Sequence, residues 1–389
     1  MAPYYERARA FLDLPSEGGW NAAYGWTAEG LEAHYGSPCL NYYSEHFDQI
    51  ELVIRPVRMG EQFHKPLKSS RNIDVVLNSN VVEIEVDDTG ESARGVRVIT
   101  LSGRRFSVDE KMVVIAAGGL ENVRLLLSST SVRPNGLGNQ NDLVGRFFAD
   151  HINLEPGHLI PNDPAVDLSL YQRRDMTETT ESAVWHELSP AAQKLFELVP
   201  CSVRLMSRAA ALNNSGGRSL KKIVKEIARG KAPADPGAHL MNIMAEVESI
   251  SAYAAQRLWY GRSPVSKVAY EMSLAPAPNP DSRVSLSGET DKLGMQRLKL
   301  DWRLSEIDFR TIRWAASTFV DEAAANGFGR TMLELENETL SEKVRWTWHH
   351  MCTTRMSSAP GEGVVDSDYR IHSKKNLYVA GSSVFSTSG

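Results

Sequence analysis

One stretch constrains the fold most: an apolar run that ends in two glycines and continues into a helical pattern. Residues Lys111–Gly119 predict a buried strand that runs into a glycine turn. Residues Glu121–Ser129 predict a helix, with Val123 and Leu127 four positions apart on one face. A strand joined to a helix in this way is typical of α/β proteins, in which helices cover a sheet.

Other elements also have clear local signals. Helices are predicted over Tyr4–Leu12 and Ser305–Asn326, the second with Ser305 as its N-cap and Gly327 directly after its end. A turn is predicted at Asp87–Gly90. The further predicted strands are Asn72–Leu77, Val81–Val86, Gly95–Leu101, Trp346–Thr354 and Asn376–Ala380. The expected class is therefore a mixture of α/β and α+β structure.

Composition narrows the class of protein without choosing a function. The 389 residues suffice for two domains, and a net charge of −5 argues against nucleic acid as the main partner. The three cysteines are far apart and odd in number, so they fit neither a zinc site nor a disulfide framework, and a reducing, cytoplasmic location is expected. The sequence has no apolar run long enough to span a bilayer, and its N-terminus does not have the pattern of a signal peptide.

One amphipathic segment has two interpretations. Residues Ser219–Arg229 predict a helix with an apolar side and a basic side. A surface helix with a solvated basic face is the interpretation we favour, and docking to an anionic membrane is the alternative. Membrane association is therefore not expected.

The first candidate site is the glycine turn. Gly118 and Gly119 allow a ligand or another backbone to approach closely, and the helix N-terminus that follows favours a phosphate or another anion. A plain strand–helix turn is an equal alternative from this segment alone. Three other glycine-containing stretches fail the dinucleotide-binding pattern: Gly136–Asn141, Gly327–Arg330 and Gly361–Asp366.

The second candidate site is the run Trp346–Met356, which contains His349 and His350. Neutral imidazole suits the oxidation of an alcohol, because a hydroxyl proton must leave as hydride departs from the same carbon. If the run is extended, Thr347, His349 and Met351 share one face, and Trp348, His350 and Cys352 share the other. The alternative is a pair of structural histidines in an aromatic strand, and the spacing does not choose between His349 and His350.

Together these segments resemble the glucose-methanol-choline (GMC) oxidoreductases, flavoproteins that oxidise alcohols and sugars. The segments that carry the resemblance follow one another in the same order as in the family, and they are Val113–Leu127, Asp142–His151, Asn279–Val284, Leu298–Leu304, His349–Met356, Gly363–Asp366 and Asn376–Gly389. The resemblance implies a partial FAD-binding domain, made of discontinuous segments, beside a substrate domain with an antiparallel sheet and helices. It divides the chain into a flavin-covering segment at 1–70, the partial FAD-binding domain at 71–150, the substrate domain at 151–345 and a return to the FAD-binding domain at 346–389.

The resemblance also implies roles for individual residues. His349 would be the catalytic base, with His350 on the variable position beside it. Hydride would pass from a sugar or another alcohol to flavin N5. Val81 would contact the adenine of FAD. Ala117, Gly118 and Gly119 would pack near its adenosine and pyrophosphate, and Ala380, Gly381 and Ser382 would lie by the ribityl chain and ring of the flavin. The resemblance implies no metal.

Departures from the family pattern raise further hypotheses. The family's N-terminal βαβ unit and its second catalytic Asn or His have no counterpart in this sequence, and Cys352 stands where the family has glycine. A truncated remnant without cofactor is therefore one alternative. A subunit completed by a homo-oligomer or by another chain, which would cover an exposed sheet edge, is a second. A carbohydrate-binding remnant is a third, weaker one.

Overall fold

A computed structural model describes residues 2–12, 30, 32–33, 45–54, 59–172, 174–175, 181–208, 215–233, 235–260, 265–333, 335–336 and 342–388. Cys39, Gly389 and much of the segment predicted at 1–70 lie outside the described residues. No helix within the described ranges is both long enough and apolar enough to cross a bilayer.

Both helices and strands occur along the chain, in runs of each, which confirms the predicted mixed class. The helices are α1 (Ala2–Phe11), α2 (Met59–Ser69), α3 (Gly118–Ser128), α4 (Pro190–Phe196), α5 (Ser215–Ala228), α6 (Pro236–Ala245), α7 (Val247–Tyr260) and α8 (Glu306–Ala325). The strands are β1 (Phe47–Ile54), β2 (Asn80–Val86), β3 (Ala93–Ile99), β4 (Arg105–Asp109), β5 (Val113–Ile115), β6 (Ile152–Pro161), β7 (Arg174–Asp175), β8 (Glu181–Leu188), β9 (Cys201–Arg208), β10 (Lys267–Leu274), β11 (Arg283–Thr290), β12 (Gln296–Asp301), β13 (Gly329–Leu333), β14 (Arg345–Trp346) and β15 (Leu377–Val379).

The chain forms two units, and the first contains residues 1–56, 154–273 and 311–344. Its main sheet has the strand order β1-β8-β9-β10-β6-β13. The strands β1 and β8 pair antiparallel, with Phe47 opposite Leu188. Along β8 and β10 most side chains are buried, which gives this unit an apolar core that includes Tyr270 and Phe319.

The second unit contains residues 57–153, 274–310 and 345–389. It has an antiparallel sheet of β2, β3 and β4, an antiparallel pair of β11 and β12, and a parallel pair of β5 and β15. Helix α3 contacts β2, β11 and β12, and its buried Val123 and Leu126 join the core of the unit. Residues 274–310, which the sequence assigned to the substrate domain, are part of this unit, and the domain boundaries drawn from the sequence stay a prediction.

The clearest local patterns of the sequence correspond to helices and strands of the structure. Helix α8 begins after Ser305, whose N–H and hydroxyl both donate to Asp308 Oδ2 at 2.7 Å, so that the carboxylate and the N-cap residue support each other. Gly327 follows the helix with a φ of 73°, in the left-handed region that favours glycine. Strands β2, β3, β5 and β15 and helices α1, α3 and α5 also lie where the sequence predicted them.

Two strand predictions are wrong. Residues 71–78 are exposed and form no strand, because no described segment supplies the backbone partner that a strand needs. In the run Trp346–Thr354, only Trp346 belongs to a strand. Positive φ angles at Trp348 (65°) and Cys352 (69°) break the extended backbone, so the alternation of faces deduced for this run does not apply.

Candidate functional site

Two turns of the second unit lie side by side. Since β5 and β15 run parallel, with Val113 opposite Leu377, both strands end at the same edge. Residues Ala117–Gly119 lie at the end of β5, and Ala380–Ser382 follow β15. The Ala380 N–H donates to the Ile115 carbonyl at 2.8 Å and continues the pairing towards the turns. Two segments for which cofactor contacts were predicted are therefore neighbours, although they are far apart in sequence.

Asn122, the fifth residue of α3, holds these two segments together. Its Oδ1 accepts a hydrogen bond from Ala117 N–H at 2.8 Å. Its Nδ2 donates to the Ser383 hydroxyl at 2.9 Å and to the Ala380 carbonyl at 3.3 Å. The Ser383 hydroxyl also accepts from the Thr354 hydroxyl at 2.8 Å. Because Asn122, Ser383 and Thr354 are completely buried, this network fixes the helix, the turn and the tail segment in one arrangement.

Glycine occurs at three positions of the two turns for different structural reasons. Gly118 and Gly381 have φ angles of 92° and 103°, and a Cβ at either position would meet nothing within 4 Å. A Cβ at Gly119 would instead lie 2.4 Å from the His350 carbonyl oxygen, and the Thr353 hydroxyl donates to the Gly119 carbonyl at 2.6 Å. Gly119 thus allows the helix to approach the tail segment closely. Gly118 and Gly381 leave open space in front of the backbone.

This open space fits a phosphate-bearing cofactor such as the FAD that the resemblance implies. The N-cap residue of α3, Ala117, makes no side-chain cap hydrogen bond to the first turn of the helix, and a helix N-terminus favours an anion. The Ala117–Gly119 and Ala380–Ser382 segments would hold the cofactor. Val81 lies in another sheet, with 38% of its surface exposed, and its predicted adenine contact stays a prediction.

A buried carboxylate shapes the loop that contains His349. Asp150 is completely buried, and its Oδ1 accepts hydrogen bonds from the His349 N–H at 3.0 Å and from the Thr347 hydroxyl. Its Oδ2 accepts from the Trp348 N–H at 3.1 Å. Three donors on one carboxylate satisfy a group that would otherwise be costly to bury. The loop is therefore held by its backbone, which leaves the side chain of His349 exposed.

The two adjacent histidines have different surroundings. His349 is exposed, and its Nδ1 lies 3.2 Å from His151 Nδ1, with the rings perpendicular and their centroids 5.2 Å apart. His151 Nε2 lies 2.7 Å from the Ser388 carbonyl oxygen. The ring of His350 is half-buried and lies 5.8 Å from the ring of Phe148. His349 thus presents a polar, solvent-facing imidazole, whereas His350 is a member of an aromatic cluster.

That aromatic cluster borders the loop. The ring centroids of Phe148 and Trp302 are 6.2 Å apart, those of Trp302 and Trp346 are 5.2 Å apart, and those of Trp346 and Trp348 are 6.3 Å apart. The ring of Trp348 lies 6.2 Å from His350 and closes the row. The outer members are open to solvent, with 45% of Trp346 and 75% of Trp348 exposed. Flat apolar surface is therefore exposed at Trp346 and Trp348, which precede His349 in the same loop.

Cys352 occupies a backbone conformation that favours glycine, since its φ is 69°. This explains why the family has a glycine there. The side chain is buried, and burial raises the pKa of the Cys352 thiol to about 11, with the Arg355 guanidinium acting in the opposite direction. Cys352 is accordingly a neutral packing residue of the loop.

Sequence reasoning named the histidines and the glycine turn but missed the residues that organise them. Asp150 and His151 stood in a segment quoted for the resemblance, without a role, and Asn122 stood in the predicted helix. Asn122 and Ser383 are 261 positions apart, and Asp150 and His349 are 199 apart. A polar residue near the start of a helix that follows a glycine turn was the one local signal that could have found Asn122.

Comparison with known proteins gives a consistent picture. The family model described as GMC oxidoreductase matches residues 278–389. The chain is 22% identical over 334 residues to 2-methyl-1,2-propanediol dehydrogenase of Mycolicibacterium austroafricanum, covering 84% of this chain and 52% of that protein. It is 23% identical over 321 residues to 6'''-hydroxyparomomycin C oxidase of Streptomyces lividus, covering 82% of this chain and 48% of that protein. The chain thus spans about half the length of these curated relatives.

A solved structure shows the same fold. Pyridoxine 4-oxidase from Mesorbium loti matches with a TM-score of 0.50 and 18% identity, over 84% of this chain and 56% of that one. At this level of identity the likeness concerns the fold.

Proposed function

We propose that this chain, whose residues 278–389 match the GMC oxidoreductase family model, oxidises a CH–OH group of a sugar or another alcohol with His349 as the proton acceptor. The observation that carries the proposal is the environment of His349. Its imidazole is exposed, and its backbone is anchored by the buried Asp150. The carbonyl of the next residue, His350, accepts a hydrogen bond from the Ser382 hydroxyl at 2.8 Å, which ties the loop to the turn after β15. An exposed, anchored imidazole can accept the proton of a substrate hydroxyl as a general base.

FAD is the cofactor that the resemblance implies. When bound, it accepts the hydride that leaves the substrate carbon. The contribution of this chain is to bind and to orient: the open backbone at Gly118 and Gly381 admits the cofactor, and Asn122 fixes the two segments on either side.

The exposed tryptophans support a sugar or a similar polyol as the substrate. Trp346 and Trp348 present exposed indole rings in the segment that leads into His349, and such faces pack against the C–H groups of a sugar ring while the hydroxyls stay hydrated. The substrates named for the two relatives belong to those proteins, and the specific alcohol for this chain stays open in the proposal. A cytoplasmic location likewise stays a prediction.

The test is oxidation of a panel of sugars and small alcohols by the purified chain after incubation with FAD and removal of the excess. Turnover is followed with an artificial electron acceptor, and bound flavin is followed by its visible absorbance. His349→Gln is compared with His350→Gln. A general base contributes about 100-fold or more to the reaction rate. We therefore expect turnover to fall by at least that factor for His349→Gln and by much less for His350→Gln.

The outcomes separate the alternatives. Equal losses in both variants, or full activity in His349→Gln, would contradict the role of His349. A purified chain that stays colourless and inactive would favour the remnant without cofactor or the partner-dependent subunit, and gel filtration with light scattering would reveal a homo-oligomer. Sugar binding without retained flavin would favour the carbohydrate-binding remnant.

A further inference from the structure

We propose that His151 is a positioning residue that sets the tautomer of His349, so that the Nε2 atom of His349 is the one that accepts the substrate proton. The inference rests on the proposed function. It is carried by a chain of two ring contacts: His151 Nε2 lies 2.7 Å from the Ser388 carbonyl oxygen, and His151 Nδ1 lies 3.2 Å from His349 Nδ1.

The Ser388 carbonyl determines where the hydrogen atoms lie. A carbonyl oxygen only accepts hydrogen bonds, so His151 Nε2 carries a hydrogen. A neutral imidazole has one N–H, so the Nδ1 of His151 has a lone pair. The contact between the two Nδ1 atoms then needs a donor, and this donor is the Nδ1–H of His349. Neutral His349 consequently has an unprotonated Nε2.

Ser388, the residue at the end of this series of hydrogen bonds, is held in place. Ser388 is buried, and its hydroxyl donates to the Pro276 carbonyl at 3.4 Å. His151 directly follows Asp150, whose carboxylate accepts from the His349 N–H. The backbone of one histidine and the ring of the other are therefore held by neighbouring residues. A turn of the His349 ring that exchanged its two nitrogens would break the contact between the two Nδ1 atoms.

The arrangement suits a proton acceptor. When Nε2 of His349 takes a proton, its Nδ1–H still donates to His151, and no hydrogen bond of the chain has to change. A proton on His151 Nδ1 instead would place two N–H groups opposite each other across the 3.2 Å contact. Through His151, the Ser388 carbonyl thus determines the tautomer of His349, and His151 is not itself the base.

The direct test is nuclear magnetic resonance of the full chain labelled with ¹⁵N-histidine. Long-range ¹H–¹⁵N spectra distinguish the two tautomers of neutral imidazole, and the His349 signals are assigned from the spectrum of His349→Gln. The expected result is an Nδ1–H tautomer with an unprotonated Nε2. Free histidine side chains in water favour the opposite tautomer, so the expected result is distinctive.

Two variants test the link between the rings. His151→Phe keeps a flat ring but removes both nitrogens, so His349 should shift towards the Nε2–H tautomer, and kcat should fall about 10- to 100-fold with little change in KM. His151→Gln keeps one N–H donor and one acceptor, and it should retain the tautomer and most of kcat. His64→Gln, at an exposed position of α2, is the control and should change neither.

The readouts keep two failures apart. An Nε2–H tautomer of His349 in the wild type, or an unchanged tautomer in His151→Phe, would overturn the inference. Full turnover in His349→Gln would overturn the proposed function, while the tautomer would still be read from the spectrum. A merely structural role for His151 predicts no effect on the tautomer of His349, which is why the spectrum decides and the loss of activity alone does not.

Discussion

Asp150 holds the backbone of His349 from 199 positions away, with its buried Oδ1 accepting the His349 N–H at 3.0 Å. The same carboxylate accepts from Thr347 and Trp348, so it organises the residues on both sides of the loop's turn. The candidate base therefore depends on a residue that has no chemical role of its own. The structure of the loop can therefore be tested by substituting Asp150, a residue outside the loop.

We expect Asp150→Asn to destabilise the second unit. The amide has one acceptor oxygen in place of two, and its NH₂ group would face a donor, so at least one buried hydrogen bond is lost. Leaving a buried donor unsatisfied costs about 1–3 kcal/mol. Urea denaturation would measure the loss. The control is Asp368→Asn, an exposed carboxylate of the same unit, for which a change within about 0.5 kcal/mol is expected. Equal midpoints for Asp150→Asn and the wild type would contradict the role of Asp150.

Gly119→Ala should disrupt the contact between α3 and the tail. The added Cβ would lie 2.4 Å from the carbonyl oxygen of His350. Because the Cβ is fixed to the backbone of α3 and the oxygen belongs to the backbone of the tail, one of the two segments has to move. Overpacking of this kind costs about 1–3 kcal/mol. Gly60→Ala is the matched control, because Gly60 lies in α2 with nothing within 4 Å, and alanine there is neutral or stabilising. Thermal unfolding of the two variants would show the difference, and similar values for both would argue against the close approach.

Trp348→Ala tests the proposed sugar surface. Loss of one aromatic contact is expected to cost about 1 kcal/mol, which corresponds to about a fivefold higher KM with kcat nearly unchanged. Trp259→Ala, in α7, removes an equally exposed indole from the first unit and should leave both constants as they are. Steady-state kinetics with the best substrate of the panel would decide. A fall in kcat at constant KM would mean that Trp348 positions the loop instead of the substrate.

A buried histidine of the first unit predicts a pH-dependent stability. His186 is completely buried between the rings of Tyr171 and Phe319, and burial lowers its pKa to about 3 from an ordinary value of 6.5. Below pH 6.5 the unfolded chain therefore binds a proton that the folded chain does not, so stability falls as the pH is lowered from 6.5 towards 3.

The size of this effect can be measured against a variant. Each pH unit below the unfolded pKa corresponds to about 1.4 kcal/mol, so the contribution of His186 at pH 5 is a loss of about 2 kcal/mol relative to pH 7. Urea denaturation at the two pH values would measure it. His186→Phe, which keeps an aromatic ring, should reduce the difference by about this amount, and His64→Gln should not. An unchanged difference in His186→Phe would assign the pH dependence to other groups.

Local patterns in the sequence determined much of the secondary structure. The N-cap at Ser305, the glycine after α8 and the apolar strand before Gly118 are interactions among neighbouring residues, so they can be read without knowledge of the fold. The family resemblance and the identity of the two candidate histidines came from the same source.

Tertiary structure alone decided which of these signals became a site. The apolar residues at 72–77 had the pattern of a strand, but a strand also needs a partner, and its presence depends on the path of distant segments. The surroundings of His349 likewise come from Asp150, His151 and Ser388, whose contacts no spacing in the sequence encodes. A hydrogen bond acts over about 3 Å, and only the folded chain brings groups roughly 200 positions apart to that distance.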